Sequence, residues 1–204
     1  MIMRSFTLAL LLLAMPAVAD PAPPTQAPAT VRVSLRTSEG VIVLELEKQL
    51  APVTTANFLR YVDQKRFDGT TFYRATKVEG APGLGLIQGG VRGDAKRALP
   101  PIAHEPTTRT GLAHVDGTIS MARGAPGTAR GDFFITLGAM SSLDASPQQV
   151  GDNQGFAAFG HVVEGMDVVR HILGEPTSPT AGEGVMRGQM LAAPVRIIAA
   201  RRAG

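Results

Sequence analysis

GTISMARGAPGTARGDFFITLG, Gly117 to Gly138, decides the fold. It opens as a strand, because Thr118, Ile119, Ser120 and Met121 alternate polar and apolar. Small residues then break it from Ala122 to Gly131, with Gly124, Pro126, Gly127 and Gly131 supplying turns. A second strand follows, Phe133-Phe134-Ile135-Thr136-Leu137. Adjacent residues leave a strand on opposite faces. One of Phe133 and Phe134 can therefore enter a core while the other lines a surface. The plain interpretation is a hairpin with a long glycine-rich loop. The sharper one is a strand pair that offers a ligand one phenyl ring and a wall of small residues.

Working outward, the same pattern repeats. Val31 to Leu35 alternates strictly, Ser38-Glu39-Gly40 is a turn, and Val41 to Leu46 is a second strand, which makes a hairpin. The period then changes. Pro52 suits a helix start, and Val53, Phe58, Leu59 and Val62 recur at helical spacing, which predicts an amphipathic helix over 52–64. Thr70 to Ala75 and Leu86-Ile87-Gln88 read as short strands, the latter ended by Gly89-Gly90. Residues 91–110 are irregular. Gly155 to Val163 is a strand, Gly165 to Leu173 a short helix, 174–193 mostly loop, and Pro194 to Ala200 a last strand returning beside the first. About eight strands and two helices give a β-barrel or β-sandwich.

Composition bounds the rest. The chain has 204 residues, 44% hydrophobic and 18% charged, enough for one domain with a sizeable core. Its 23 Gly and 15 Pro imply many turns. With no Cys, disulfides and thiolate metal sites are excluded. A formal charge of +3 is too weak to argue for nucleic acid.

The N-terminus has the tripartite pattern of a secretory signal peptide. Arg4 is the basic region, Phe6 to Met15 the apolar run, and Ala17-Val18-Ala19 a small-x-small cleavage site before Asp20. The apolar run is too short for a membrane anchor, which needs about 20 residues. Cleavage after Ala19 removes Arg4 and lowers the formal charge to +2. The expected location is periplasmic or secreted, with no membrane attachment afterwards. Asp20 to Thr30 is a Pro/Ala linker with too little apolar surface to fold. The folded domain is expected over 31–202.

The chemistry is narrow. His104, His114, His161 and His171 show no i,i+4 pairing and no HExxH frame, so no metal is expected. There is no G-x-S-x-G, and no GK[ST] follows the glycines at 83–90. Residue counting leaves a Ser-His-Asp triad open, with no motif to mark one. Any catalysis must work without metal, cofactor or an evident covalent nucleophile. Arg74 and Gln88 are polar candidates, though by pattern alone each could be an ordinary strand residue.

Five segments in order carry a family resemblance. They are Phe72-Tyr73-Arg74, Leu86-Ile87-Gln88-Gly89-Gly90, Ile119 to Arg123 with Phe133-Phe134-Ile135, Phe159 to Val169, and the helix start at Ala51 to Phe58. Together they resemble the cyclophilin peptidyl-prolyl cis-trans isomerases. The resemblance implies an eight-stranded antiparallel barrel capped by two α-helices. It implies Arg74 and Gln88 as the catalytic residues, Arg74 toward the proline nitrogen and Gln88 toward the rotating carbonyl. It implies a proline pocket formed by Leu86, Phe134 and Leu143 with Phe72 behind it, Ala122 lining the neighbouring groove, and Phe156 at the position of a pocket His. Departures from the family pattern are Tyr73 for a frequent His, Gly85 for an aromatic, Asp132 for Gln, and Ser142 for Trp.

The implied partners are proline-containing polypeptide clients of the cell envelope, with no cofactor and nothing that demands more than a monomer. The rival is a chaperone-like module that grips proline segments and turns over poorly. Arg74 separates the two, since a pure binder does not need it.

Overall fold

Val33, Leu35, Ile42, Leu44 and Leu46 alternate with more polar or exposed neighbours, and all five are fully buried. They belong to β1 (Thr30–Thr37) and β2 (Gly40–Glu47), which pair antiparallel around the expected turn. The structure, a computed structural model, describes residues 29–148 and 151–203. The expected signal peptide, and the linker up to residue 28, lie outside the described residues. The first strand begins at Thr30, one residue before the expected domain start, because Thr30 pairs with Glu47.

The other strands are β3 (Thr71–Lys77), β4 (Gly85–Gly90), β5 (Thr118–Met121), β6 (Asp132–Leu137), β7 (Ala157–Glu164), β8 (Thr177–Ser178) and β9 (Met190–Ala203). Their order is β1-β2-β7-β5-β6-β4-β3-β9, and β9 pairs back onto β1. The expected eight-stranded antiparallel barrel is therefore closed, with no free edge along its ring. β8 adds a short ninth strand outside β9. Gly89 and Gly90 continue β4 rather than ending it, since both keep partners on β6.

Helix α1 (Pro52–Asp63) packs on the barrel through Phe58, Leu59, Tyr61 and Val62. Val53, expected on the buried face, is 37% exposed. Thr54, Thr55 and Asn57 turn inward instead. The cause is Glu105, itself buried. Its carboxylate accepts from the backbone N–H of Val53 and Thr54 at 3.2 and 2.8 Å and from Thr54 Oγ1 at 2.7 Å. Ala51 cannot cap the helix, so an acid 51 and 52 residues beyond the free donors of Thr54 and Val53 satisfies them, where the helix dipole also favours negative charge.

A four-residue helix, α2 (Thr107–Thr110), lies in the stretch read as irregular. Helix α3 (Met166–Gly174) buries Val169, Ile172 and Leu173. Gly165 joins it to β7 at φ +87°, where a Cβ would lie 2.2 Å from the Val41 carbonyl oxygen. Only glycine fits that approach. Inside the barrel Phe133 meets Phe58, Phe67 and Phe72 with ring centroids 5.3, 5.4 and 5.7 Å apart, mostly edge to face.

Candidate active site

Sheet register brings the site together. Arg74 of β3 is opposite Gln88 of β4, Gln88 is opposite Phe134 of β6, and Phe134 is opposite Ser120 of β5. Cross-strand partners share a face. Four residues far apart in sequence thus form one row on the barrel's outer wall.

A β-bulge aims Arg74 into that row. Phe72 pairs with Gly89, but the next pair is Arg74 with Gln88, so Tyr73 is an extra residue. Regular alternation would send Phe72 and Arg74 to the same face. The bulge divides them. Phe72 is fully buried against Phe133, while Arg74 turns outward beside Gln88. Phe72, expected behind the proline pocket, belongs to the barrel core and does not line the cleft.

The cleft itself has a volume of about 280 Å³ and is lined by Arg74, Gln88, Leu86, Phe134, Leu143, Phe156 and Ala122. Seven of the eight expected residues therefore meet at one place. Arg123, Val185 and Met186 join them. Phe134 is 3% exposed and sits between two rings, edge-on to Phe156 at 5.3 Å and stacked on His114 at 5.9 Å. Arg74 Nη1 donates to Gln88 Oε1 at 2.7 Å, and Gln88 Nε2 donates to Tyr73 Oη at 2.8 Å. Tyr73 Oη donates to Asp132 Oδ1 at 3.3 Å. Burial pushes the Tyr73 hydroxyl upward and the Asp132 carboxyl upward, so the phenol stays a neutral link in the chain. Burial also lowers Arg74 from its usual value, which lies far above neutrality.

Sequence reading missed several supports. Gln189 accepts from Arg74 Nε and Nη2 at 2.9 and 2.6 Å. It lies in the segment read as loop, where no periodicity marks a functional residue. Arg123 grips Asp152 with two bonds of 2.7 and 2.9 Å and reaches the Gly155 carbonyl, and its guanidinium lies 5.1 Å from the Phe156 ring. That ties the 151–156 segment to the cleft wall.

A Ser-His-Asp array does exist. His114 Nδ1 is 2.6 Å from Asp144 Oδ1, and its Nε2 is 3.0 Å from Ser120 Oγ. Ser120 is fully buried and His114 is 1% exposed, so no substrate reaches the hydroxyl. The array instead backs the pocket, since His114 stacks on Phe134 and Asp144 follows Leu143. Burial lowers the His114 pKa, against the opposing pull of Asp144. The neutral ring then donates to Asp144 and accepts from Ser120.

A second cleft of about 640 Å³ adjoins the first and shares Gln88, Ala122, Arg123 and Met186 with it. An apolar cleft of about 480 Å³ lies between the β3–β4 loop and α3. Its charged liners Lys77 and Arg170 already contact backbone carbonyls and Asp116. Among the described residues no cluster of three or more His, Cys, Asp or Glu could hold a metal.

Residues 32–200 match the sequence model of the family described as cyclophilin type peptidyl-prolyl cis-trans isomerase/CLD. A peptidyl-prolyl cis-trans isomerase of Acinetobacter baylyi is 36% identical over 154 residues, which cover 74% of this chain and 76% of the relative. Peptidyl-prolyl cis-trans isomerase A of Dickeya dadantii is 37% identical over 153 residues, 74% of this chain and 75% of the relative. A crystal structure of a cyclophilin type peptidyl-prolyl cis-trans isomerase from Cryptosporidium parvum superposes with a TM-score of 0.67 at 20% identity, covering 86% of this chain and 98% of that one. At that identity it supports the fold alone. With the family match spanning nearly the whole barrel, the chain belongs to the cyclophilin-type peptidyl-prolyl cis-trans isomerases.

Proposed function

We propose that this isomerase works through Arg74, Gln88 and the Leu86–Phe134–Leu143 pocket, on proline-containing segments of client proteins in the cell envelope. The carrying observation is a fixed guanidinium at the edge of an apolar cleft sized for a small ring.

The reaction explains the choice of residues. Rotation about a peptide bond costs about 18–20 kcal/mol because the nitrogen lone pair is delocalised into the carbonyl. Before proline, cis and trans differ by only about 0.5–1 kcal/mol, so both forms matter and interconversion is slow. In the twisted state the nitrogen becomes pyramidal and recovers its lone pair. A donor held beside it then binds that state better than either planar one, which lowers the barrier.

Arg74 fits this role. A guanidinium has five N–H groups. Gln88 and Gln189 occupy three of them. The remaining two are available to substrate. Phe134, Leu86 and Leu143 clamp the pyrrolidine ring, which fixes one side of the bond while the other rotates. Gln88 Nε2 is directed to Tyr73 and its Oε1 to Arg74, so its main part is to hold the guanidinium still.

Every residue of the proposed site lies on one chain, so the proposed mechanism needs no second copy. The signal-peptide pattern supports action outside the cytoplasm. Among the described residues no helix is long and apolar enough to cross a membrane.

The test is exchange NMR on an X-Pro peptide with purified 20–204 protein, beside Arg74→Ala. Rapid exchange that disappears in the variant supports the assignment. Full exchange in the variant removes Arg74 from the mechanism. Peptide binding without exchange in the unmodified protein favours the chaperone-like rival. Expression of the full chain in a secreting host tests the location, with a mature N-terminus at Asp20 expected.

A further inference from the structure

The segment between α3 and β9 contributes one side chain that touches the catalytic arginine. Gln189 Oε1 accepts from Arg74 Nε at 2.9 Å, Arg74 Nη2 at 2.6 Å and Thr76 Oγ1 at 2.9 Å. Arginine can only donate, so the amide oxygen, not its nitrogen, faces the guanidinium. The backbone holds Gln189 in register. Ala75 N donates to Gln189 O at 2.9 Å, and Gln189 N donates to Met186 O at 3.1 Å.

We propose that Gln189 is a positioning residue for the isomerisation, and that its neutrality matters as much as its geometry. The inference rests on Arg74 being the catalytic group. Two parallel donors to one acceptor fix the plane of the guanidinium, not just its position. A carboxylate at 189 would accept the same fork and hold Arg74 as firmly. It would also neutralise the charge meant for the recovered lone pair of the proline nitrogen. Among the described residues no carboxylate forms a salt bridge with Arg74, and both of its side-chain partners are amides. Glutamine thus supplies the fork while leaving the positive charge free to act on the substrate.

The groups around position 189 are few. Arg74 and Thr76 face it from β3, Gln88 lies behind Arg74 on β4, and Tyr73 and then Asp132 of β6 are reached through Gln88. Glu183 and Arg187 lie on its own segment. Unmodified protein measured in parallel accounts for the titration of these neighbours.

The experiment compares unmodified protein, Arg74→Ala, Gln189→Ala and the near-isosteric Gln189→Glu. Exchange NMR on an X-Pro peptide gives kcat and KM, and the Arg74 Nε–H resonance reports whether the side chain is ordered. In Gln189→Ala the Nε–H signal should broaden or move to the free-arginine position. Its kcat should fall about tenfold while KM changes less than about twofold, since planar substrate does not use the aimed donors. In Gln189→Glu the Nε–H signal should stay ordered, yet kcat at pH 8 should fall about tenfold or more. Relative to unmodified protein it should recover as pH drops through and below the ordinary glutamate range near about 4.3, because a protonated carboxyl is again a neutral acceptor.

Full kcat in Gln189→Ala overturns the positioning role. Full kcat in Gln189→Glu at pH 8 overturns the requirement for neutrality, and that variant decides the matter even if the alanine one fails to fold. If Arg74→Ala itself keeps full exchange, the assignment of Arg74 fails instead, which the same data distinguish.

Discussion

Arg74 and Gln88 face each other across the β3–β4 ladder, and Arg74 Nη1 donates to Gln88 Oε1 at 2.7 Å. The pair is possible only because Tyr73 is bulged out of register. Without that extra residue Arg74 would share the inward face of Phe72. The first prediction concerns what this planar, forked cation does. Arg74→Ala should lower kcat/KM by about 10²–10³-fold, the usual cost of one preorganised donor at a developing charge. Arg74→Lys keeps the charge but loses the plane and the fork. It should recover less than about tenfold of the loss. Full recovery with lysine would mean that charge alone suffices and that the Gln88–Gln189 cradle is incidental.

Phe134 sits between the His114 and Phe156 rings and lines the cleft proposed to take the proline ring. Phe134→Ala removes the pocket wall that holds the ring in ground state and transition state alike. Such uniform binding appears in KM rather than kcat. We expect KM to rise about tenfold or more, with kcat changed far less. The truncation should also cost about 3 kcal/mol of stability, as for a buried phenylalanine. Peptide titration and urea unfolding on the same sample separate the two effects. A fall confined to kcat would show that the ring acts on the twisted amide and not on proline binding.

Much of this was legible in the chain because strands declare themselves by alternation. Val33, Leu35, Ile42, Leu44 and Leu46 mark the first hairpin without ambiguity, and the paired phenylalanines divide as expected, Phe133 to the core and Phe134 to the cleft. What alternation cannot show is a break in itself. The Phe-x-Arg spacing suggests one shared face for Phe72 and Arg74, and only the bulge at Tyr73 separates them. Val53 misleads for a related reason. Helical spacing marks it as inward, but the phase of α1 is set by Glu105, whose distance along the chain hides the cap. Gln189 was invisible because a single amide in a glycine-rich loop has no period at all. His114, Ser120 and Asp144 could be counted as residue types, but not as neighbours.

Gly85 occupies a position where the family pattern carries an aromatic, and the local backbone leaves no room for one. A Cβ there would lie 2.1 Å from the Thr76 carbonyl oxygen and 3.1 Å from Leu173 Cδ1. Real Cβ atoms do not approach backbone so closely, so β3 would have to shift, while the tip of the Leu173 side chain would have to give way by a few tenths of an ångström. Gly85→Phe should therefore destabilise the barrel, by about 1–3 kcal/mol or more for overpacking alone. It should also reduce isomerase activity by displacing Leu86, which lines the cleft on the next residue. A variant that folds at unchanged stability with higher activity would show that β4 relaxes freely and that the missing aromatic is a simple loss.

His114 gives the fold a pH dependence whose sign follows from burial. Its ring is enclosed by Phe134, Ser120 and Asp144, and burial lowers its pKa despite the Asp144 contact. In the unfolded chain the same group titrates near its ordinary value of about 6.5. Between the two values the unfolded state binds more protons than the folded one, so stability rises with pH across that window. Above about pH 6.5 the full stability is present. As pH falls below it, stability is lost until the folded ring also protonates, and protonation then removes the acceptor that Ser120 Oγ uses. Urea midpoints of unmodified protein should decline from pH 7 to pH 5 more steeply than those of His114→Gln, which cannot titrate. The difference between the two curves cancels the opposing contribution of Asp132, whose raised pKa acts in the other direction. Parallel curves would mean that His114 stays equally protonated in both states, and would remove it as the support that titrates beneath Phe134.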